Sequence, residues 1–525
     1  MACTDENTPV QIQIGMVSLG CPKNLADGES MLGLLKSGGY GITPDADLAD
    51  LIIVNTCGFI DTAKKESINA ILDMADKKVT GRCRALIVTG CLSERFRDTF
   101  YEELPEVDAA LGVGEYWRIC DIADRLAEKT GLAANSIPVP SPYDAGAGDR
   151  ADMRADTADT AVQPSSAPDF AGTAFPVSRD KIRPVYECSA YERLAHLNAK
   201  RILTNRSGYV YIKISDGCDN KCSYCAIPYI RGGYIDRPRA DIIAEAGRLS
   251  AEREIEAVLV AQDTTKYGAG AESACESGKR GGSAGLCGLI EDLSRLERVR
   301  WIRLMYAYPD RIDALLADQF AKNPKLVRYI DLPIQHAAGG ILRKMGRRYG
   351  LSDLYDAIGI LRQAVPDIVL RTTVMTGFPG ESDSDFSELL DFITRVKFDR
   401  LGVFAYSREE GTPAASMEGQ VSKKTALRRR SELLRRQSEL SGRAELVRIG
   451  REYGAIIDAG PYIIKNGAIY YNVRTYAEAP EVDGCIRAYA APDKPDNLTA
   501  VKPGGFAAVR ITGKDSKGLF GELLT

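Results

Sequence analysis

The sequence predicts an α/β protein in three folded parts: an N-terminal open α/β sheet, a central partial barrel of six β/α units and a C-terminal small β-barrel. Three observations predict it. Short apolar runs alternate with helical patterns over two long stretches of chain. Between them, residues 132–172 are rich in Ala, Asp, Ser, Pro and Gly and carry no apolar periodicity, the mark of a mobile linker. The last part, from 447, changes to β-rich runs separated by Gly and Pro. A length of 525 residues accommodates such a plan, at about 150 residues per domain. The boundaries are drawn at 10–130, 131–200 for the linker, 204–442 and 447–525.

In the first domain the runs are QIQIGMVSLG, ADLIIVNTCGF, RALIVTGC and VDAALGV, which predict a parallel sheet covered by helices. Ligands of such sheets collect beyond the carboxyl ends of the strands. Cys21, Cys57 and Cys91 close the first three runs, among the turn-forming residues Gly20, Pro22, Asn55, Thr56, Gly58 and Gly90. Two readings stand on position alone: three thiolates converging on one cluster, or three small buried residues near strand ends. Cys3, Cys83, Cys120, Cys188, Cys275, Cys287 and Cys485 lack this placement.

In the second domain the runs are YVYIKISD, EAVLVAQD, VRWIRLMYAYP, YIDLPIQ, DIVLRTTVMTGFP and RLGVFAYS, one per β/α unit, with chemistry expected at the carboxyl ends of the strands. GAGAESACESGKRGGSAG, 268–285, is a surface insertion in that pattern. Directly after the first strand stand Cys218, Cys222 and Cys225, three thiols within eight residues in CxxxCxxC spacing. A structural zinc site wants four ligands in paired CxxC spacing and fits this triplet poorly, whereas a [4Fe–4S] cluster held by three thiolates keeps one iron open.

Composition narrows the classes. No apolar run reaches the roughly 18 residues of a membrane span, and the polar, acidic opening MACTDENTPVQ is unlike a secretory signal, so a cytoplasmic location is expected. Thirteen cysteines in a reducing compartment are read as metal ligands before disulfides. A net charge of −4 does not favour a broad nucleic-acid surface; neither DNA nor a membrane is expected as a partner. The chain has two histidines, His196 and His336; His336 lies beyond the fourth barrel strand, where it either faces the site or packs and caps. Conventional histidine acid–base catalysis is not suggested.

The CxxxCxxC loop, with Tyr224 before its last cysteine, resembles the radical S-adenosylmethionine superfamily. LGCPKNLADGES, VNTCGFI, VTGCLSER, AQDTTKYG, IDLPIQHA, TGFPGE and FAYSREEGTPAA extend the resemblance to the methylthiotransferase group over nearly the whole chain. The resemblance implies two [4Fe–4S] clusters, a radical cluster on Cys218, Cys222 and Cys225 and a sulfur-delivering one on Cys21, Cys57 and Cys91. It implies S-adenosyl-L-methionine as cofactor, a low-potential electron donor and a sulfur source. Gly377 and Glu381, after the fifth barrel strand, are candidates for cofactor contacts; the alternative is a tight turn followed by a helix-start acid. One departure is Ile235-Asp236 before Arg237-Pro238, where the family usually has an Arg-Ser pair.

Residues 424–443, KTALRRRSELLRRQSELSGR, predict an exposed connecting helix, and the terminal barrel resembles a TRAM domain. Members of the group methylthiolate either adenosine in transfer RNA or an aspartate of small-subunit ribosomal protein uS12. An RNA-holding barrel should be basic, yet 451–525 holds nine Lys plus Arg and nine Asp plus Glu. Glu478, Glu481 and Asp483 in RTYAEAPEVDG predict an acidic face suited to a basic protein loop. The resemblance to the ribosomal-protein branch therefore implies uS12, free or in the small subunit, as partner.

Overall fold

The computed structural model describes residues 11–97, 99–132, 190–205, 207–269, 282–464, 467–490 and 501–524. Most of the expected linker and the middle of the 268–285 insertion lie outside the described residues, as do Cys3, Cys188 and Cys275. The chain divides into two compact units, 1–202 and 203–525.

The first unit is built on β1 (Gln13–Ser18), β2 (Gly41–Thr43), β3 (Leu51–Thr56), β4 (Ala85–Gly90) and β5 (Ala109–Leu111). Their order is β2-β1-β3-β4-β5, every pair parallel. The four expected runs are all strands. The fifth, β2, is a three-residue edge too short to show a period. β3 and β4 are buried at every residue, which is why LIIV and ALIV within them are unbroken apolar runs rather than alternating ones. Ile52, Val54, Leu86 and Val88 form the core with Phe100 and Leu104.

Residues 193–200, the end of the expected linker, and Arg201 beyond them pack on the helix Pro22–Ser37. His196 Nε2 lies 2.9 Å from Asp27 Oδ1, Arg201 donates to Glu29 at 2.5 Å, and a Cβ on Gly33 would meet the Lys200 carbonyl at 1.9 Å. His196 is thereby a packing residue.

The second unit opens with β6 (Tyr209–Lys213), a small ladder of β7 (Ser215–Asp216) and β8 (Ile235–Asp236), then β9 (Ile255–Val260), β10 (Val299–Leu304), β11 (Leu326–Asp331), β12 (Val369–Thr376) and β13 (Arg400–Ala405). The six long strands lie in chain order, all parallel, with β6 and β13 as edges. This is the expected six-unit partial barrel. Side chains alternate: Val210, Ile212, Ala257, Leu259, Ile302 and Leu304 belong to the apolar core, whereas Tyr209, Tyr211, Glu256 and Arg303 take the other face.

The helix Lys423–Leu446 is no solvated connector. Ala426, Arg429, Leu433, Gln437 and Leu440, at helical spacing, are buried, and Arg430 and Gln437 donate to the carbonyls of Val403 and Phe398 at 3.0 and 2.8 Å. The many arginines hid this stripe, because long cationic stems bury while their heads stay wet.

β14 (Glu452–Ile463), β15 (Ile469–Arg474), β16 (Ile486–Tyr489), β17 (Phe506–Asp515) and β18 (Gly518–Leu524) close a barrel in the order β14-β15-β16-β18-β17. The segment after β15 overturns the acidic-face expectation. Glu478 is buried against Arg400 and Arg448, Asp483 accepts from Tyr329 at 2.7 Å, and Glu481 accepts from Tyr209 and Tyr211 at 2.8 and 3.0 Å. Arg474 pairs with Glu256 at 2.9 Å and Asp458 at 2.6 Å, and Glu256 takes Arg303 at 2.5 Å. These acids hold the small barrel to the six-stranded sheet. They are spent on internal partners.

Candidate functional site

The loop after β6 and β7 is fixed by its own backbone and by three neighbours. Gly217 has φ +70, and a Cβ there would meet the Gly233 carbonyl at 1.9 Å, so only glycine permits the crossing. Cys218 N–H donates to the Gly232 carbonyl at 3.1 Å, and Cys225 N–H to that of Cys222 at 3.1 Å. Asn220 donates to Asp263 at 3.0 Å, tying the loop to the end of β9. Ser223 donates from N–H to the Met345 carbonyl and from its hydroxyl to the Lys344 carbonyl, at 3.0 and 2.7 Å. Beneath it Asp216 accepts from Gly217 N–H, Lys213 and Arg231, a buried carboxylate held by two cations.

Cys218 and Cys222 are each 7% exposed, and Ile227 N–H points at Cys225 Sγ from 3.5 Å. Burial pushes the Cys218 thiol up, with the neighbouring Cys222 adding to it; burial and then Cys222 push Cys225 to about 12. Thiols raised in this way, as Cys218 and Cys225 are, give up their protons when a cation binds in the protons' place. Among the described residues no three His, Cys, Asp or Glu side chains are grouped to hold a single metal ion. The fit to an iron–sulfur cluster therefore rests on the donors: three thiols, two of them buried and one half-buried, on one anchored loop with no fourth cysteine in it.

Sequence reasoning missed Arg347, which donates to the Tyr224 hydroxyl at 2.6 Å beside this loop. In GRRYG it resembles any surface arginine, and only the fold buries it.

Cys21, Cys57 and Cys91 stand beyond the carboxyl ends of β1, β3 and β4, three adjacent strands. Cys21 is the N-cap residue of Pro22–Ser37, and Cys91 opens the helix Cys91–Arg95. The loops touch. A Cβ on Gly20 would lie 2.9 Å from Cys57 Cβ and 3.3 Å from its Sγ; one on Gly58 would lie 2.7 Å from the Cys91 carbonyl oxygen. Gly90, at φ +104, leaves only 2.4 Å to the Thr56 carbonyl. Asn24 donates to the carbonyls of Leu19 and Thr56 at 2.7 and 3.2 Å, while Ser67 Oγ lies 3.0 Å from both N and O of Cys57. The structure thus brings the three cysteine-bearing loops together through glycines.

After β12, Gly377 has φ +77, and a Cβ would stand 2.3 Å from Ala426 Cβ. Its N–H donates to Glu381. Glu381 also accepts from Arg429 at 2.9 Å and lies 3.4 Å from His336 Nε2, whose Nδ1 accepts from Ala338 N–H at 3.0 Å. Nε2 therefore carries the proton in neutral His336. All three side chains are buried. Gly377, Glu381 and His336 meet, and their bonds fasten the β12 loop to the helix Lys423–Leu446.

Among the described residues no helix is long and apolar enough to cross a membrane. Three family profiles match: the uncharacterized protein family UPF0004 over 13–112, the radical SAM superfamily over 212–393 and the TRAM domain over 449–524. The ribosomal protein uS12 methylthiotransferase RimO of Acetivibrio thermocellus is 40% identical over 98% of each chain. Its namesake from Desulforudis audaxviator is 39% identical over 95% of this chain and 94% of its own. The solved radical S-adenosylmethionine methyltransferase TsrM from Kitasatospora setae covers 77% of each chain at 14% identity, with a TM-score of 0.48.

Proposed function

The chain belongs to the ribosomal protein uS12 methylthiotransferase family of radical S-adenosylmethionine enzymes, and from that premise we propose that it installs a methylthio group on the β carbon of an aspartate in uS12. Cys218, Cys222 and Cys225 hold the radical cluster and Cys21, Cys57 and Cys91 the sulfur-delivering one. Bound there, two [4Fe–4S] clusters and S-adenosyl-L-methionine supply a hydrogen-abstracting radical and a methylated sulfur. The observation that carries the reading is the buried, fourfold-anchored loop of three thiols after β6.

The chain's own residues do three things. Asn220, Ser223 and Gly217 fix the loop that carries the three thiols. Burial of Cys218 and Cys222 keeps water away from the sulfur donors. The bonds of Gly377 and Glu381 hold the β12 loop in place at the carboxyl ends of the strands, where we assign cofactor contact to the loop's backbone. The neutral charge of the terminal barrel supports a protein substrate over RNA. Electrons come from a low-potential donor in the cytoplasm.

Mass spectrometry of uS12 and of digested transfer RNA, from cells with and without the gene, tests the proposal. The expected result is loss of a methylthio increment from one uS12 aspartate, with transfer RNA unchanged. An unchanged uS12 beside lost methylthioadenosine would transfer the enzyme to RNA.

A further inference from the structure

Seven arginines are buried among the described residues, and six face a carboxylate. Arg201 has Glu29, Arg231 has Asp216, Arg237 has Glu245, Arg303 and Arg474 share Glu256, and Arg429 has Glu381. Arg347, 8% exposed, forms no ion pair with a carboxylate among the described residues, and its Nε and Nη1 are buried without a hydrogen-bond partner. What surrounds it is aromatic. The guanidinium lies 4.6 Å from the ring centre of Tyr308, 5.8 Å from that of Tyr349 and 5.9 Å from that of Tyr224. Gly346, at φ +74, presses this turn onto the thiol loop: a Cβ there would meet the Lys221 carbonyl at 2.3 Å. Tyr224 and Ser223, inside the loop, bond to Arg347 and to the carbonyls of Lys344 and Met345.

Burying a guanidinium away from water is costly, and aromatic faces return only part of it. A missing anion is therefore implied, and the loop that Arg347 bonds through Tyr224 carries the thiols of Cys222 and Cys225 on either side of that tyrosine. On the reading that Cys218, Cys222 and Cys225 hold the radical cluster, we propose that Arg347 is the charge partner of that cluster and sets the potential at which it accepts its electron. One electron leaves a low-potential donor and enters the cluster, whose negative charge grows by one unit with no proton taken up. A fixed cation beside it stabilises the reduced form and shifts the potential upward. Arg347 is thus a positioning residue acting through charge.

The test uses the full chain with Cys21, Cys57 and Cys91 changed to Ala, so that one cluster remains, and compares Arg347 with R347Q, R347M and R347K. Potentials are read by reductive titration followed by electron paramagnetic resonance. R347Q and R347M should lower the equilibrium constant for reduction at least tenfold, about 59 mV for one electron, while R347K stays near the parent. Iron lost from both neutral variants but kept by R347K would support the same conclusion, since R347M keeps the stem and lacks only the charge. Equal potentials across the series overturn the proposal. So does an unchanged potential with a tenfold weaker affinity for S-adenosyl-L-methionine, which would assign the guanidinium to the cofactor's carboxylate, and so does iron lost from R347K as well, which would make the role one of packing. A parent that takes up no cluster, or keeps one after C222A, refutes the thiol assignment and leaves the charge argument without an object.

Discussion

Cys218, Cys222 and Cys225 stand on one loop, whereas Cys21, Cys57 and Cys91 are delivered by three strands from positions spread between 21 and 91. The first set owes its arrangement to local turns, fastened outward by Asn220 and Ser223 to the ends of neighbouring strands and helices. The second has no shared loop. The loops that carry its members touch because β1, β3 and β4 are adjacent and because Gly20, Gly58 and Gly90 allow approaches that an added Cβ would obstruct. A contiguous site survives small shifts of the scaffold, whereas a distributed one registers each of them.

The largest expected effect separates the two sets by function. Cys222→Ala and Cys57→Ala should each abolish methylthio transfer to uS12, measured by mass spectrometry of the substrate. Only Cys222→Ala should also abolish 5′-deoxyadenosine formation, measured by chromatography. Equal loss of 5′-deoxyadenosine in both variants would break the division of labour.

The next effect separates them by construction. Gly58→Ala puts a methyl 2.7 Å from the Cys91 carbonyl oxygen and 2.9 Å from Leu92 Cα, backbone atoms that cannot rotate away. Overpacking of this kind costs about 1–3 kcal/mol and moves one cysteine relative to another. The expected outcome is loss of the iron bound by the N-terminal set, with the radical cluster's resonance signal intact. Full iron content in Gly58→Ala would show that the close approach is not what holds the set together.

A third effect concerns the joint between the small barrel and the six-stranded sheet, away from the contiguous set. Burial alone would raise the pKa of Glu478, but Arg448 and Arg400 outweigh it and hold the carboxyl at about 2. Because the folded value lies below the ordinary one, its stabilisation is complete above the usual carboxylate range and is lost as pH falls from there toward 2. Removing one partner of a buried pair costs about 3 kcal/mol, so Glu478→Gln should unfold at lower urea concentration at neutral pH. Part of that deficit should vanish by pH 3. Iron bound to the radical loop should not change, because the loop's anchors lie elsewhere.

How much of this the chain discloses follows the same division. CxxxCxxC is a local pattern, so the three-cysteine loop and the six β/α units were legible from spacing and periodicity. The N-terminal cysteines were legible as strand-end residues, but their meeting depends on strand order, which no local pattern carries. β2 escaped because GIT lacks the flanking apolar run that marked the equally short β5. RTYAEAPEVDG misled for a physical reason: an acidic segment reads as surface until its cations are known, and Arg400, Arg448 and Tyr329 lie far from it in the chain or across a strand. Arg347 stayed hidden likewise, since burial is what gives its charge a role.

The smallest effect is a control that sharpens the contrast between glycines. Gly247 lies in the helix Arg239–Ser250, where an added Cβ meets nothing within 4 Å. It has an ordinary negative φ and approaches no other backbone. Gly247→Ala should therefore stabilise by about 0.5–1 kcal/mol, because the unfolded chain loses conformational freedom while the folded helix gains no clash. A thermal midpoint raised by about 1 °C, with full iron content, is the expected result. The same chemical change thus stabilises at 247 and unseats a cysteine at 58, and the sign is decided only by what lies opposite the new methyl group. If Gly247→Ala lost iron as Gly58→Ala does, close approach would not be the cause, and the distributed set would have to be held by the sheet as a whole.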